Sequence, residues 1–156
     1  MIKKSPTAIN KRGTKVDADN YKFDSQKEYV FYERFVKNCG FYFEVHPRFV
    51  LQELTPIEGG KITAIRYTPD FIIYDDNHDF LHVYDVKNSF GAYGIDQGNK
   101  LRFRLFAAKY GIPVEAVVVL KNQFKSIAQG VSKPLKDKDP IYRSNFNYDW
   151  HEATNY

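Results

Sequence analysis

The chain has 156 residues, 17% of them aromatic, and a formal net charge of +4. That length suits one domain with a real core, and so much aromatic surface excludes a globally disordered chain. A single cysteine, Cys39, excludes an internal disulfide, and no Cys/His cluster suggests structural zinc.

The positive charge is uneven. Residues 1–22 hold Lys3, Lys4, Lys11, Arg12, Lys15 and Lys22 against Asp17 and Asp19, which accounts for the whole surplus. This stretch is polar and without periodicity, and reads as a basic flexible arm that a polyanion would order. It lacks the apolar stretch of a signal peptide, and no run in the chain approaches the roughly 18–20 apolar residues of a membrane span. The expected location is a reducing cytoplasm.

From Ser25 the pattern predicts a helix over 25–39. Ser25 suits the cap and Gly40 the stop, while Phe31, Tyr32, Phe35, Val36 and Cys39 recur at helical spacing. Residues 41–54 read as extended, bent at Pro47, and "TPIEGGK" as a turn. "ITAIRYT" alternates as a strand, and "DFIIY" continues it after Pro69. "DDNHD" is a turn and "FLHVYDVK" the next strand. A glycine-rich loop follows, then a helix over about 98–110 with Leu101, Leu105 and Ala108 as its buried stripe. "VEAVVVL" at 114–120 is a buried strand. The region after 121 is mixed and polar, with late aromatics Tyr142, Phe146, Tyr148, Trp150 and Tyr156. It reads as an extension that packs on the core or forms a dimer interface. Helix, three strands, helix, strand is an α/β order with a mixed sheet flanked by helices.

The two apolar strands around "DDNHD" carry carboxylates at their outer ends. With a four-residue turn, Asp76–Asp79, Tyr74 faces Leu81, Ile72 faces Val83 and Asp70 faces Asp85. Lys87 lies two residues on, on the same face. Opposed carboxylates destabilise a sheet, so either one is protonated or a divalent cation sits between them. Oxygen ligands suit Mg²⁺ or Mn²⁺, and the adjacent lysine favours the cation.

Pro69-Asp70 and Asp85-Val86-Lys87 resemble the two halves of the PD-(D/E)xK nuclease motif. The element order is similar to that superfamily's restriction-endonuclease-like core, α-β-β-β-α-β. Over residues 23–120, "FDSQKE", "HPRFVL", "YTPDF", "DVK" and "KLRFRLFAAKYG" resemble its phage and prophage endonucleases related to Holliday junction resolvases. The resemblance implies Mg²⁺-dependent hydrolysis of DNA phosphodiesters. Asp70, Asp85 and the Val86 carbonyl would hold the metal, and Lys87 would position water and balance charge. A fourth residue on the first helix would be Glu28, although Ser25 and Glu28 also match a capping box. Gln97 is followed four residues later by Leu101, so the glutamine–tyrosine motif of the exonuclease branch is missing.

Lys100, Arg102, Arg104 and Lys109 make the second helix basic. With the arm residues Lys3, Lys4, Lys11, Arg12 and Lys15 they would neutralise phosphates with little sequence readout. Phe90 and Tyr93 in the glycine loop would stack on unpaired bases or simply pack. No room remains for a domain that reads a long base sequence. The expected substrate is therefore branched DNA, above all the four-way junction, cut by paired nicks from a homodimer. A nickase or flap nuclease, and a DNA-binding module without catalysis, are the alternatives.

Overall fold

Where the sequence alternates, strands form, and where aromatics recur every three or four residues, helices cover them. The computed structural model describes residues 15–91, 94–132 and 141–152. It begins with a hairpin, β1 (Val16–Ala18) and β2 (Tyr21–Phe23), turned by Asp19 and Asn20, both at positive φ. Two such residues make the primed turn that matches strand twist. The hairpin lies inside the segment read as a flexible arm. Its polar positions mask a two-residue alternation that buries Phe23, and residues 1–14 lie outside the described residues.

Helix α1 (Gln26–Phe31) is capped by Ser25, whose Oγ accepts from the Glu28 N–H at 3.2 Å. It continues as a π-helical turn, Tyr32–Val36, closed by the Lys37 N–H donating to the Tyr32 carbonyl. Phe31 is the hub of this layer, with its ring 5.1–5.5 Å from those of Phe71, Tyr84 and Phe124.

Strand β3 (Phe43–Val45) ends at His46-Pro47, and β4 (Phe49–Gln52) starts a separate ribbon. β4 pairs with β7 (Ile65–Tyr67), and between them β5 (Thr55–Ile57) and β6 (Gly60–Ile62) form an exposed hairpin where a plain turn is expected. β7 therefore does not run on into β8 (Phe71–Tyr74). Thr68-Pro69-Asp70 separates them, and β8 joins the main sheet.

β8 pairs antiparallel with β9 (Phe80–Val86), and Ile72 faces Val83 as the alternation predicts. The turn differs. The Asp75 N–H donates to the Asp79 carbonyl, leaving a three-residue loop with His78 at φ 65°. Tyr74 thus faces Phe80 rather than Leu81, and a bulge between Ile73 and Tyr74 restores the expected register toward the acids.

Helix α2 (Gln97–Tyr110) then crosses to β10 (Val114–Val119), which runs parallel to β9. Asp96 caps α2, and Gly111 at φ 72° ends it. Its buried stripe is Phe103 and Phe106, while Leu101 is 54% exposed. The aromatic faces bury more area than the leucines and set the rotation of the helix. Strands β11 (Phe124–Ala128) and β12 (Tyr142–Arg143) complete a six-stranded mixed sheet in the order β12-β11-β10-β9-β8-β3. The fold is α/β, and its sheet is buried on both faces. Phe71, Ile73 and Tyr84 pack under α1, and Ile72, Val83 and Ala116 pack under α2.

The region after 121 belongs to this sheet. Tyr148 Oη donates to Glu115 Oε1 at 2.6 Å and lies 2.7 Å from Tyr84 Oη. His82, fully buried, has Nδ1 2.6 Å from Glu115 Oε2 and Nε2 3.0 Å from the Phe146 carbonyl. Tyr142, by contrast, is half exposed. Among the described residues, no helix is long and apolar enough to cross a membrane.

Candidate metal centre

The parallel strands β9 and β10 end on one side of the sheet, where α1 and α2 also begin. Asp85 is the penultimate residue of β9 and faces Ala116 of β10. The Lys87 N–H donates to the Val117 carbonyl at 2.7 Å and keeps the strand end in place. Asp70, just before β8, is fixed to the same strand. Its N–H donates to the Tyr84 carbonyl at 3.0 Å, and its Oδ2 accepts from the Val86 N–H at 2.7 Å.

These residues line a cleft of about 330 Å³. Glu28, Asp70, Asp85, Val86 and Lys87 all border it, and Arg102 of α2 stands at its side. Arg66, Thr68 and Asn99 also line it. The arrangement collects every acid that the sequence picked out, plus the lysine. Of the basic residues it assigned to phosphate contacts, only Arg102 reaches the cleft among the described residues. Lys100 and Arg104 do not line it, and Arg104 packs against Gly130. Lys15 is exposed on the strand-turn hairpin's approach, and Lys109 bonds the Val50 carbonyl. Lys3, Lys4, Lys11, Arg12 and Tyr93 lie outside the described residues, and Phe90 packs against the core under α2.

The electrostatics follow from bringing three carboxylates, Glu28, Asp70 and Asp85, to one cleft that largely desolvates Asp70. Burial, then the charges of Asp85 and Glu28, hold the Asp70 carboxyl well above the usual carboxylate range, against the pull of the Val86 N–H and Lys87. Lys87 Nζ donates to Asp85 Oδ1 at 2.7 Å. Burial disfavours its ammonium, but the charge and hydrogen bond of Asp85, with Asp70 and Asp96, outweigh burial and raise its pKa. Lys87 is thus a cation here, suited to hold water and balance charge rather than to take a proton.

Among the site residues that escaped the sequence reading, Tyr67 and His46 lie directly against the acids. Tyr67 Oη donates to Asp85 Oδ2 at 2.8 Å. Burial, then the charges of Asp85 and Asp70, push the phenol well up, so the hydroxyl stays a donor. The signal was its place three residues before Asp70, on the strand that enters the cleft. His46 is the other. Its Nε2 lies 3.0 Å from Glu28 Oε2 and 3.8 Å from Asp70 Oδ1, and its backbone N–H donates to the Asp70 carbonyl at 3.0 Å. The hydrogen bond to Glu28 outweighs burial and raises the imidazole pKa. A histidine directly before proline, at the end of an acid-facing strand, was the available sign.

Both roles weighed for Glu28 are visible at once. Its backbone N–H meets the Ser25 cap, and its Oε2 accepts from the Asp24 N–H at 3.1 Å, yet its carboxylate also borders the cleft. Asp24, Glu28 and His46 each offer a ligand atom within 4.8 Å of the other two, so this group could hold a metal ion. No curated protein and no solved structure matches the chain. The model of the family described as "Protein of unknown function (DUF1064)" matches residues 10–126, well over half of the sequence, and the chain belongs to that family.

Proposed function

We propose that this protein is a Mg²⁺-dependent, structure-selective DNA endonuclease that acts on branched DNA, foremost the four-way junction. The observation that carries the reading is the single cleft bordered by Asp70, Asp85, Glu28 and the Lys87 ammonium. Its donor set is oxygen, and the raised Asp70 carboxyl marks a place where added positive charge is favourable. Both properties fit a hard dication such as Mg²⁺ or Mn²⁺. Asp70, Asp85 and the Val86 carbonyl would hold it, with Glu28 on the ion or on a water beside it. When bound, such an ion supplies charge to the scissile phosphate and lowers the pKa of water.

The side chains supply the rest. Lys87 orients the attacking water and offsets charge on the phosphate. Tyr67 holds the Asp85 carboxylate in position. Arg66 and Arg102 border the cleft on two sides and receive the flanking phosphates. In the reaction, the oxygen of water bonds to phosphorus, the bond to one sugar oxygen breaks, and the protons of water pass to that oxygen and to solvent. The basic residues of the arm add phosphate contacts, and a two-fold dimer would deliver the paired nicks.

The test is a panel of synthetic DNAs with Mg²⁺: a four-way junction, a flap and a linear duplex. Symmetric nicks in the junction support the proposal. Cutting confined to the flap supports the flap-nuclease reading, and binding without cleavage in Mg²⁺ or Mn²⁺ supports a DNA-binding module.

A further inference from the structure

Glu28 has neighbours that phosphodiester hydrolysis does not require. Asp24 sits four residues earlier, exposed at the end of β2. His46 approaches Glu28 Oε2 through Nε2. Tetrahedral ligand atoms around one ion at about 2.0–2.2 Å are separated by about 3.3–3.6 Å. The three here lie within 4.8 Å of one another, and Asp24, free at the surface, can close the difference by turning its side chain.

The donor set differs from that of the Asp70–Asp85 pair. It includes an imidazole, which suits a borderline transition ion, whereas Mg²⁺ prefers oxygen alone. The imidazole is held in advance. His46 has φ 51°, its backbone N–H is bonded to the Asp70 carbonyl, Pro47 follows it, and its ring packs edge-on to the buried Phe23. Glu28 is 6% exposed, so its carboxylate has little freedom to turn away. Of the three, Asp24 alone is exposed, and three protein ligands leave open positions for water.

We propose that Asp24, Glu28 and His46 form a second cation site, which shares Glu28 with the cleft and is selective for a transition dication of the Zn²⁺ or Co²⁺ class over Mg²⁺. The ion takes the place of the imidazole proton between His46 and Glu28. Because His46 Nε2 lies 3.8 Å from Asp70 Oδ1, an ion there also changes the field at the neighbouring cleft. The site stands whether or not the chain cuts DNA.

The experiment uses the full chain, stripped of metal, and Co²⁺ as the probe, in excess Mg²⁺ and without DNA. Strong visible d–d absorption reports Co²⁺ held with four or five ligands rather than as the weakly absorbing aqua ion, and pulsed electron resonance with Mn²⁺ detects the histidine nitrogen. The wild type should take up a single tight equivalent of Co²⁺ that Zn²⁺ displaces and Mg²⁺ does not. His46→Gln and Asp24→Asn should each weaken uptake by about tenfold or more, as loss of a ligand requires. Asp24 is exposed, so its variant keeps the fold. Asp85→Asn should keep the single tight equivalent of Co²⁺ and its displacement by Zn²⁺, with affinity lowered only by the loss of a neighbouring negative charge. The site is refuted if His46→Gln or Asp24→Asn binds Co²⁺ as the wild type does, if Mg²⁺ displaces it, or if Asp85→Asn abolishes it. An uncut junction with Co²⁺ behaving as described would defeat the nuclease reading alone.

Discussion

Tyr67→Phe removes one oxygen from the cleft and little else. The ring stays packed, 5.7 Å from both Phe103 and Phe106, so no cavity opens. What is lost is the donor to Asp85 Oδ2 at 2.8 Å, inside a fully buried pair. A hydrogen bond to a charged acceptor is worth about 1.5–3 kcal/mol, and a buried acceptor left alone costs a similar amount. Lys87 still holds the other oxygen of Asp85, which places the expected loss near the lower end, about 1.5–2 kcal/mol. For a chain of this size that is a fall in melting temperature of roughly 3–8 °C. The same donor orients the carboxylate as a ligand, so Mg²⁺ affinity should fall by about 10–100-fold. Thermal melts with and without Mg²⁺, and cleavage against Mg²⁺ concentration, read both effects. A variant with wild-type stability and wild-type metal dependence would show that Tyr67 does not position Asp85.

His82→Leu breaks the buried pair with Glu115 and strips the Phe146 carbonyl of its partner; the cost should be about 3–5 kcal/mol in urea unfolding, and His82→Leu with Glu115→Leu should recover part of it. A single variant as stable as the wild type would contradict the pair's role in tying the late aromatics to the sheet. Asp70→Asn should stabilise the metal-free protein. The Asp70 carboxyl is raised in the folded state, so its contribution is fully present below the ordinary carboxylate range and is lost as pH rises through the folded value. The stability gap between variant and wild type should therefore widen with rising pH, and Mg²⁺ should cease to stabilise the variant. A variant less stable than the wild type at pH 8 without metal would show that Asp70 is not under strain from its neighbours.

Much of the site was legible because period-two alternation fixes which face a strand residue takes. "DFIIY" and "FLHVYDVK" put Asp70, Asp85 and Lys87 on one side before any coordinates, and the bulge at the turn corrected a wrong loop length without moving them. Glu28 was legible through its helical offset from Phe31 and Tyr32. Tyr67 and His46 were not, since both act across strand boundaries. β7 pairs with β4 rather than continuing into β8, and His46 takes a left-handed backbone that no periodicity announces. The stripe of α2 was misread because two leucines at helical spacing competed with two phenylalanines, and only packing against Tyr67 and Phe49 decides between them. β11 was missed because its inward Ser126 looks like a surface residue until Tyr148 arrives as its partner.

The most direct test of the account is a single-turnover assay on a four-way junction with Mg²⁺, comparing the wild type with Asp85→Asn. The account predicts nicks from the wild type, and from the variant undiminished junction binding with no nicks. Equal cutting by both proteins, or an intact junction under the wild type with Mg²⁺ and Mn²⁺ alike, would contradict it.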